Sequence, residues 1–153
     1  MIDLPGYKII PITRDNHMGV WPIYQSNANY LNTRRGGILP PSPADILHTF
    51  DRLVEGYDPA AQYFVGIWKG SEPVAVLELL PDFPSLGTLW LSEIIVRGDL
   101  RGTGLGSAIV SNVIAGAVNF ERIFLGVDDG NKDVIGFWAK HGFINKGDYY
   151  ERH

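Results

Sequence analysis

Six consecutive residues, Arg101-Gly102-Thr103-Gly104-Leu105-Gly106, stand between an apolar strand-like run and the start of a helix, and a turn of that composition can hold an anion. The first N–H groups of a helix have no partner inside it, and the helix dipole places partial positive charge on them. A phosphate or pyrophosphate is a natural occupant of such a place. Glycines remove the Cβ atoms that would keep an anion away, and Arg101 adds a full charge. The same glycines would also suit a plain turn that lets strand and helix pack closely. Two nucleotide motifs are excluded. No Gly-Lys-Ser or Gly-Lys-Thr is present, and Gly102, Gly104 and Gly106 miss the dinucleotide pattern, whose third glycine comes three residues after its second.

The neighbouring elements have to hold that turn in place. Leu105, Ile109, Val113 and Ala117 recur at four-residue spacing, with Val110, Ile114 and Val118 on the adjoining row, so a helix from about Leu105 to Val118 turns one wide apolar stripe to a core. The preceding strand, Leu89 to Val96, is apolar on both faces apart from Ser92 and Glu93, as a central strand would be. Upstream, Tyr7 to Ile12 reads as a first strand, His17 to about Leu31 as an amphipathic segment whose start Pro22 obscures, and Asn32 to Pro41 as a loop. Ser42-Pro43 opens a helix, cap plus first-turn proline, leading through Ile46, Leu47, Phe50 and Leu53 to Gly56. Ala61 to Lys69 and Pro73 to Leu80 read as strands of a hairpin around Gly70-Ser71. Arg122 to Val127 predicts a further strand, Lys132 to His141 a short helix, and Phe143-Ile144 with Tyr149 to Glu151 a last small ribbon.

At 153 residues the chain fits one domain over positions 1–153. Thirteen basic and seventeen acidic residues give a net charge of −4, and the only basic pair is Arg34-Arg35, so no nucleic-acid partner is expected. Zero cysteines exclude disulfides, thiolate metal sites and a cysteine nucleophile. The four histidines are scattered with no two at ligand spacing, so no metal is expected. No stretch approaches membrane-spanning length, which predicts no membrane partner and a cytoplasmic protein.

The pattern Arg-x-x-Gly-x-Gly at Arg101, Gly104 and Gly106, after a strand ending in Val96, resembles the acyl-CoA pyrophosphate site of the GNAT superfamily of N-acyltransferases. A second block, Asn131-Lys132-Asp133-Val134-Ile135-Gly136-Phe137-Trp138-Ala139-Lys140-His141-Gly142-Phe143, is similar to that family's later motif: asparagine, a short helix, an aromatic pair, then Gly-Phe. One helix and one strand separate the blocks, as in the family. The resemblance is good from about residue 61 to 144 and weak before residue 60. It implies an α/β (α+β) fold whose central sheet is mixed, mostly antiparallel and twisted. Such a sheet has about six or seven strands, splays between strands 88–97 and 122–127, and is flanked by about four helices.

The resemblance also implies acetyl-CoA as cosubstrate. Pantetheine amides would pair with the exposed backbone of Ile94, Ile95 and Val96. The backbone of Arg101, Gly102, Thr103, Gly104, Leu105 and Gly106 would hold the pyrophosphate. Asn131 would meet the pantetheine arm or order the following turn, and Phe137 would pack near the cofactor. Each residue has a plain structural use as well: Ile94 and Val96 as core, Asn131 as a helix cap, Phe137 as a helix-to-core aromatic.

An amine attacking a thioester must first be neutral, and an alkyl ammonium has a reference pKa of about 10.4, so a base or water relay helps. Glu93 is the candidate. It is the only charge between Leu89 and Val96, and regular alternation puts it on the face of Leu91 and Ile95. Its structural alternative is an acid that pairs with a basic neighbour or faces solvent. The leaving thiolate marks a departure, because Trp138 stands where many relatives carry tyrosine. An indole N–H donates a hydrogen bond but does not usefully deliver a proton. A CoA thiol, near the cysteine reference of about 8.5, can leave without a strong acid, and Tyr149 or Tyr150 would be substitutes. The acid stays unassigned, transfer is direct without an acyl-enzyme, and a backbone N–H around Val96 is the expected oxyanion donor.

Acceptor choice is expected within residues 17–58, the least family-like part, with Tyr24, Tyr30 and Phe83 as candidate pocket residues, although packing is the commoner use of each. Two functions follow. One is N-acetylation of a primary amine on a small molecule or peptide. The other is a non-catalytic CoA or acyl-CoA-binding sensor or interaction module. Either allows a homodimer.

Overall fold

The run from Tyr63 to Pro81 folds as the hairpin its patterning predicts. β2 (Tyr63–Lys69) turns through Gly70 and Ser71 into β3 (Glu72–Pro81), with Lys69 opposite Glu72. Gly70 has a φ of 60°, which a two-residue hairpin turn of this kind requires. β1 (Lys8–Pro11) adds antiparallel to β2, and β4 (Thr88–Val96) antiparallel to β3. β5 (Arg122–Gly126) lies parallel to β4, while β7 (Tyr149–Arg152) and β6 (Ile144–Asn145) complete the sheet in antiparallel pairs. The order is β1-β2-β3-β4-β5-β7-β6, a seven-stranded mixed sheet. The computed structural model describes residues 1–28, 40–126 and 133–153.

Parallel neighbours need a crossover, and α3 (Leu105–Gly116) supplies the one between β4 and β5. Its Ile109, Val110 and Val113 are fully buried against the sheet face that carries Leu77, Leu79, Leu89, Leu91, Ile123 and Leu125. Each such aliphatic side chain contributes about 1.5–3 kcal/mol on burial. α4 (Asp133–Lys140) joins the same cluster through Trp138. The opposite face holds a second cluster of Ile12, Val20, Ile23, Tyr24, Ile46, Phe64, Val76 and Ile95. There α1 (Trp21–Ser26) and α2 (Ala44–Asp51) contribute the helical side.

Several element ends differ from expectation, each for a local reason. A single 3-10 turn, His17–Val20, precedes α1, and Pro22 falls in the first helical turn, where its missing N–H costs nothing. α2 starts without a side-chain cap from Ser42. Instead the Asp45 carboxylate accepts the Ser42 N–H at 2.7 Å, and the helix stops at Asp51, five residues before Gly56. α3 ends at Gly116, so Val118 leaves the predicted stripe and is exposed.

The decisive irregularity lies in β4. Glu78 is opposite Glu93 but Leu79 is opposite Leu91, so Ser92 is an extra residue, a β-bulge. An inserted residue reverses the alternation. Leu89 and Leu91 point to the α3 side, whereas Ile95 belongs to the cluster under α1 and α2. Glu93 therefore shares a face with Ile95, as expected, and not with Leu91. Pairing with β5 stops at the same place, its last couple being Leu91 with Leu125. Among the described residues, β4 beyond the bulge continues with β3 alone, and the sheet splays.

Candidate active site

The splayed part of β4 presents only alternate residues to the gap. The Arg97 N–H donates to the Val74 carbonyl at 2.9 Å, which places the amides of Arg97, Ile95 and Glu93 on the β3 side. Ile94 and Val96 turn theirs to the side that β5 has left. Of the three residues expected along the pantetheine arm, Ile95 is thus directed elsewhere: its amide faces β3 and its side chain is buried under α1 and α2. The Val96 carbonyl accepts the Asn27 side-chain amide at 2.9 Å, so the end of α1 is fastened to this strand.

Past Val96 a 3-10 turn, Gly98–Leu100, leads into the glycine run. Gly102 has φ 76° and Gly104 φ 91°, left-handed conformations in which a residue with a Cβ costs roughly 1–2 kcal/mol. Among the described residues, no atom lies within 4 Å of where either Cβ would be, so both positions open outward. Gly104 is the N-cap of α3 with no side-chain cap, and the first helical bond runs from Ala108 N–H to its carbonyl at 3.0 Å. The N–H groups of Leu105, Gly106 and Ser107 thereby lack acceptors within the helix. The Thr103 hydroxyl donates to the Leu100 carbonyl at 2.5 Å and holds the turn, and the Leu105 side chain is buried, so both present backbone to the site. Gly106 lies where turn, strand and α4 meet: a Cβ there would be 3.7 Å from Val96 and 3.8 Å from the Phe137 ring. Phe137 therefore stands beside the turn. The Arg101 guanidinium is hydrogen-bonded to the Asn27 side-chain oxygen, which directs its charge toward α1. Asn131 and Tyr30 lie outside the described residues.

Across the bulge, acidic and basic groups converge. Glu78 is wholly buried, and its oxygens accept from Arg52 Nη2 at 2.8 Å and Gln62 Nε2 at 2.6 Å. The same Arg52 nitrogen is 3.6 Å from Glu93 Oε2. Burial works against the Arg52 charge, but the Glu78 hydrogen bond and the charges of Glu78 and Glu93 outweigh it and hold the guanidinium more firmly protonated than usual. Tyr24, from α1, is buried beside them. Burial first, then the negative charge of Glu93, pushes its phenol well above the ordinary range, so its proton stays on. Tyr24 is thus buried in the cluster under α1 and α2, within electrostatic reach of Glu93, Arg52 and Glu78. Sequence reasoning did not single out Glu78, Arg52 or Gln62. Glu78 carried a usable signal, being the only charge between Pro73 and Leu80, the same trait that marked Glu93.

Phe83 lies in the loop before β4, its ring 6.1 Å from Tyr57 and 5.7 Å from Trp90. Trp138 is buried on the α3 side with its ring 5.4 Å from Phe143, a packing role. Tyr150 is buried in the same cluster, and Tyr149 packs edge-on against Phe124 at 5.5 Å.

This fold is shared with solved acetyltransferases. An acetyltransferase from Thermus thermophilus superposes with a TM-score of 0.80 at 22% identity, over 99% of both chains. An N-acetyltransferase from Staphylococcus aureus gives 0.67 at 16% identity, over 95% of this chain and 96% of that one. The ribosomal-protein-S18-alanine N-acetyltransferase from Escherichia coli gives 0.65 at 16% identity, over 95% and 90%. Likeness at these identities concerns the fold. No curated protein matches the chain in sequence. The family model for GNAT acetyltransferases matches residues 25–143, a span that includes the acid pair, the splayed strand, the glycine turn and Phe137, and the chain belongs to the GNAT acetyltransferase family.

Proposed function

We propose that this protein transfers an acetyl group from acetyl-CoA to a primary amine of a small molecule or peptide, in one ternary complex. The observation that carries this reading is the bulge at Ser92, which at one point ends the pairing of β4 with β5 and turns Glu93 away from the α3 side. A backbone groove and a carboxylate are thereby side by side.

The residues fit acetyl-CoA. The bare amides at the start of α3, opening outward at Gly102 and Gly104, suit a pyrophosphate, and Ile94 offers its backbone groups along the gap to an amide of pantetheine. Phe137 walls the site beside Gly106. Bound acetyl-CoA supplies the acyl group already activated as a thioester.

The chain then has two tasks. Glu93 accepts a proton from the acceptor ammonium, directly or through one water, which frees the nitrogen lone pair. The Val96 N–H, turned to the gap, donates to the acyl oxygen as negative charge develops there. The amine nitrogen bonds to the acyl carbon as the carbon–sulfur bond breaks; the sulfur leaves as a thiolate, which a reference pKa of about 8.5 allows without a strong acid, and the surplus proton on the nitrogen passes through water to that sulfur. Since the chain has no cysteine, no thiol of its own takes part in the transfer.

Thiol release measured over a panel of primary amines tests this reading. At least one amine should give acetyl-CoA-dependent release, and Glu93→Gln should lower that kcat by about 100-fold or more while acetyl-CoA still binds. Equal turnover in the two proteins removes Glu93 from the mechanism, and binding without release across the panel favours a CoA-binding sensor.

A further inference from the structure

Arg52 carries more donors than its buried partner uses. It caps the end of α2, and its Nη2 donates to one oxygen of the wholly buried Glu78 at 2.8 Å. The Gln62 amide donates to the other oxygen at 2.6 Å and to the Thr49 carbonyl at 3.2 Å, so the carboxylate, and through it the guanidinium, is held from two sides. A counter-ion for Glu78 needs no more than that one nitrogen, and a buried ion pair gains little stability over a well-packed apolar one. Yet the Arg52 side chain is 50% exposed, and among the described residues its Nε and Nη1 have no partner. The same Nη2 lies 3.6 Å from Glu93 Oε2, which puts the unused donors within a guanidinium's width of the nitrogen nearest the proposed base.

We infer that the acceptor is an α-amino acid, or an amine with a carboxylate equally near, whose carboxylate is bound by Arg52 at Nε or Nη1 while its amine meets Glu93. The inference rests on the transferase reading above and names its substrate class. Arg52 also lies within residues 17–58, where acceptor choice is expected. A guanidinium is planar, always charged and shaped to a carboxylate, and Glu78 with Gln62 restrict its orientation before any ligand arrives. Glu78 offsets its net charge, so recognition rests on directed, charge-assisted donors rather than on attraction at a distance. A carboxylate and a guanidinium side by side suit a zwitterion whose two charged groups are just as close. A diamine, an amino sugar or a peptide N-terminus brings no carboxylate to Arg52.

The test uses matched pairs, an amino acid and its carboxamide with the same side chain, over several side chains, together with a simple diamine. Thiol release with saturating acetyl-CoA is one reading. Calorimetric binding of the same amines to the CoA-loaded protein is the other, and reports recognition without chemistry. On the native chain the free acids should exceed their carboxamides by about 10-fold or more in kcat/KM, chiefly through KM, and by a similar factor in affinity. Arg52→Gln should remove that difference, and Arg52→Lys, which keeps the charge but not the fork, should restore only part of it. The acid–carboxamide comparison on the native chain stands by itself if Arg52→Gln fails to fold. Carboxamides or the diamine performing as well as the free acids, or a preference for the acids that survives in a folded Arg52→Gln protein, overturns the inference and leaves the transferase reading standing. Absence of thiol release from every amine instead removes the transferase reading, and the inference with it.

Discussion

A carboxylate removed from water persists only with donors at its oxygens, and Glu78 shows what that takes: a guanidinium from the end of α2 and an amide from the start of β2. His141 is a second residue whose surroundings oppose charge. Burial, then the positive charges of Lys140 and Arg152, hold its imidazole below the ordinary range, and its Nε2 lies 3.3 Å from the Ser107 hydroxyl at the start of α3. The unfolded chain binds that proton more readily, so stability present near pH 7 is lost as pH falls through the unfolded histidine value of about 6.5. Melting temperatures should therefore drop more steeply between about pH 7 and pH 5 for the native chain than for His141→Asn. Parallel slopes in calorimetry would contradict this. Glu93 was legible in the sequence because a lone charge in an apolar strand needs a reason. Glu78 bore the same mark, whereas Arg52 and Gln62 look like ordinary surface residues until the fold brings them to it.

At the scale of elements, periodicity carried the β2–β3 hairpin, the α3 stripe and the glycine turn, since each rests on local patterns of side chains or on glycine's freedom. It did not carry the bulge. A strand apolar on both faces contains no record of which residue faces which side, so the extra residue at Ser92 leaves no trace in the pattern. The lengths of α1 and α2 were also hidden, because their ends are set by contacts with β3 and β4, such as Arg52 to Glu78 and Asn27 to Val96. The glycine turn yields an element-level prediction. Gly104→Ala should cost about 1–2 kcal/mol in denaturant unfolding, through its left-handed backbone alone, because the space around the new methyl group is open. An unchanged midpoint would show that the turn does not hold that conformation.

For the whole molecule, the sheet separates two tasks of the proposed reaction. The α3 and α4 side supplies the backbone cradle, and the α1 and α2 side supplies the acids, with the bulge as the hinge of that division. The family likeness was readable from residue 61 onward because its two motifs sit at fixed points, one where β4 leads into the crossover helix and one after β5. The earlier part, where acceptor choice is expected, carries no comparable motif, since side chains that recognise an amine can come from many positions. Calorimetric titration of the protein with acetyl-CoA tests the central claim most directly. One saturable site is expected, with stabilisation of about 2.7 kcal/mol at a hundred times the dissociation constant, no comparable response to ATP or NAD, and weaker binding by Gly104→Val. No response to acetyl-CoA at millimolar concentration, or undiminished affinity in Gly104→Val, would contradict it.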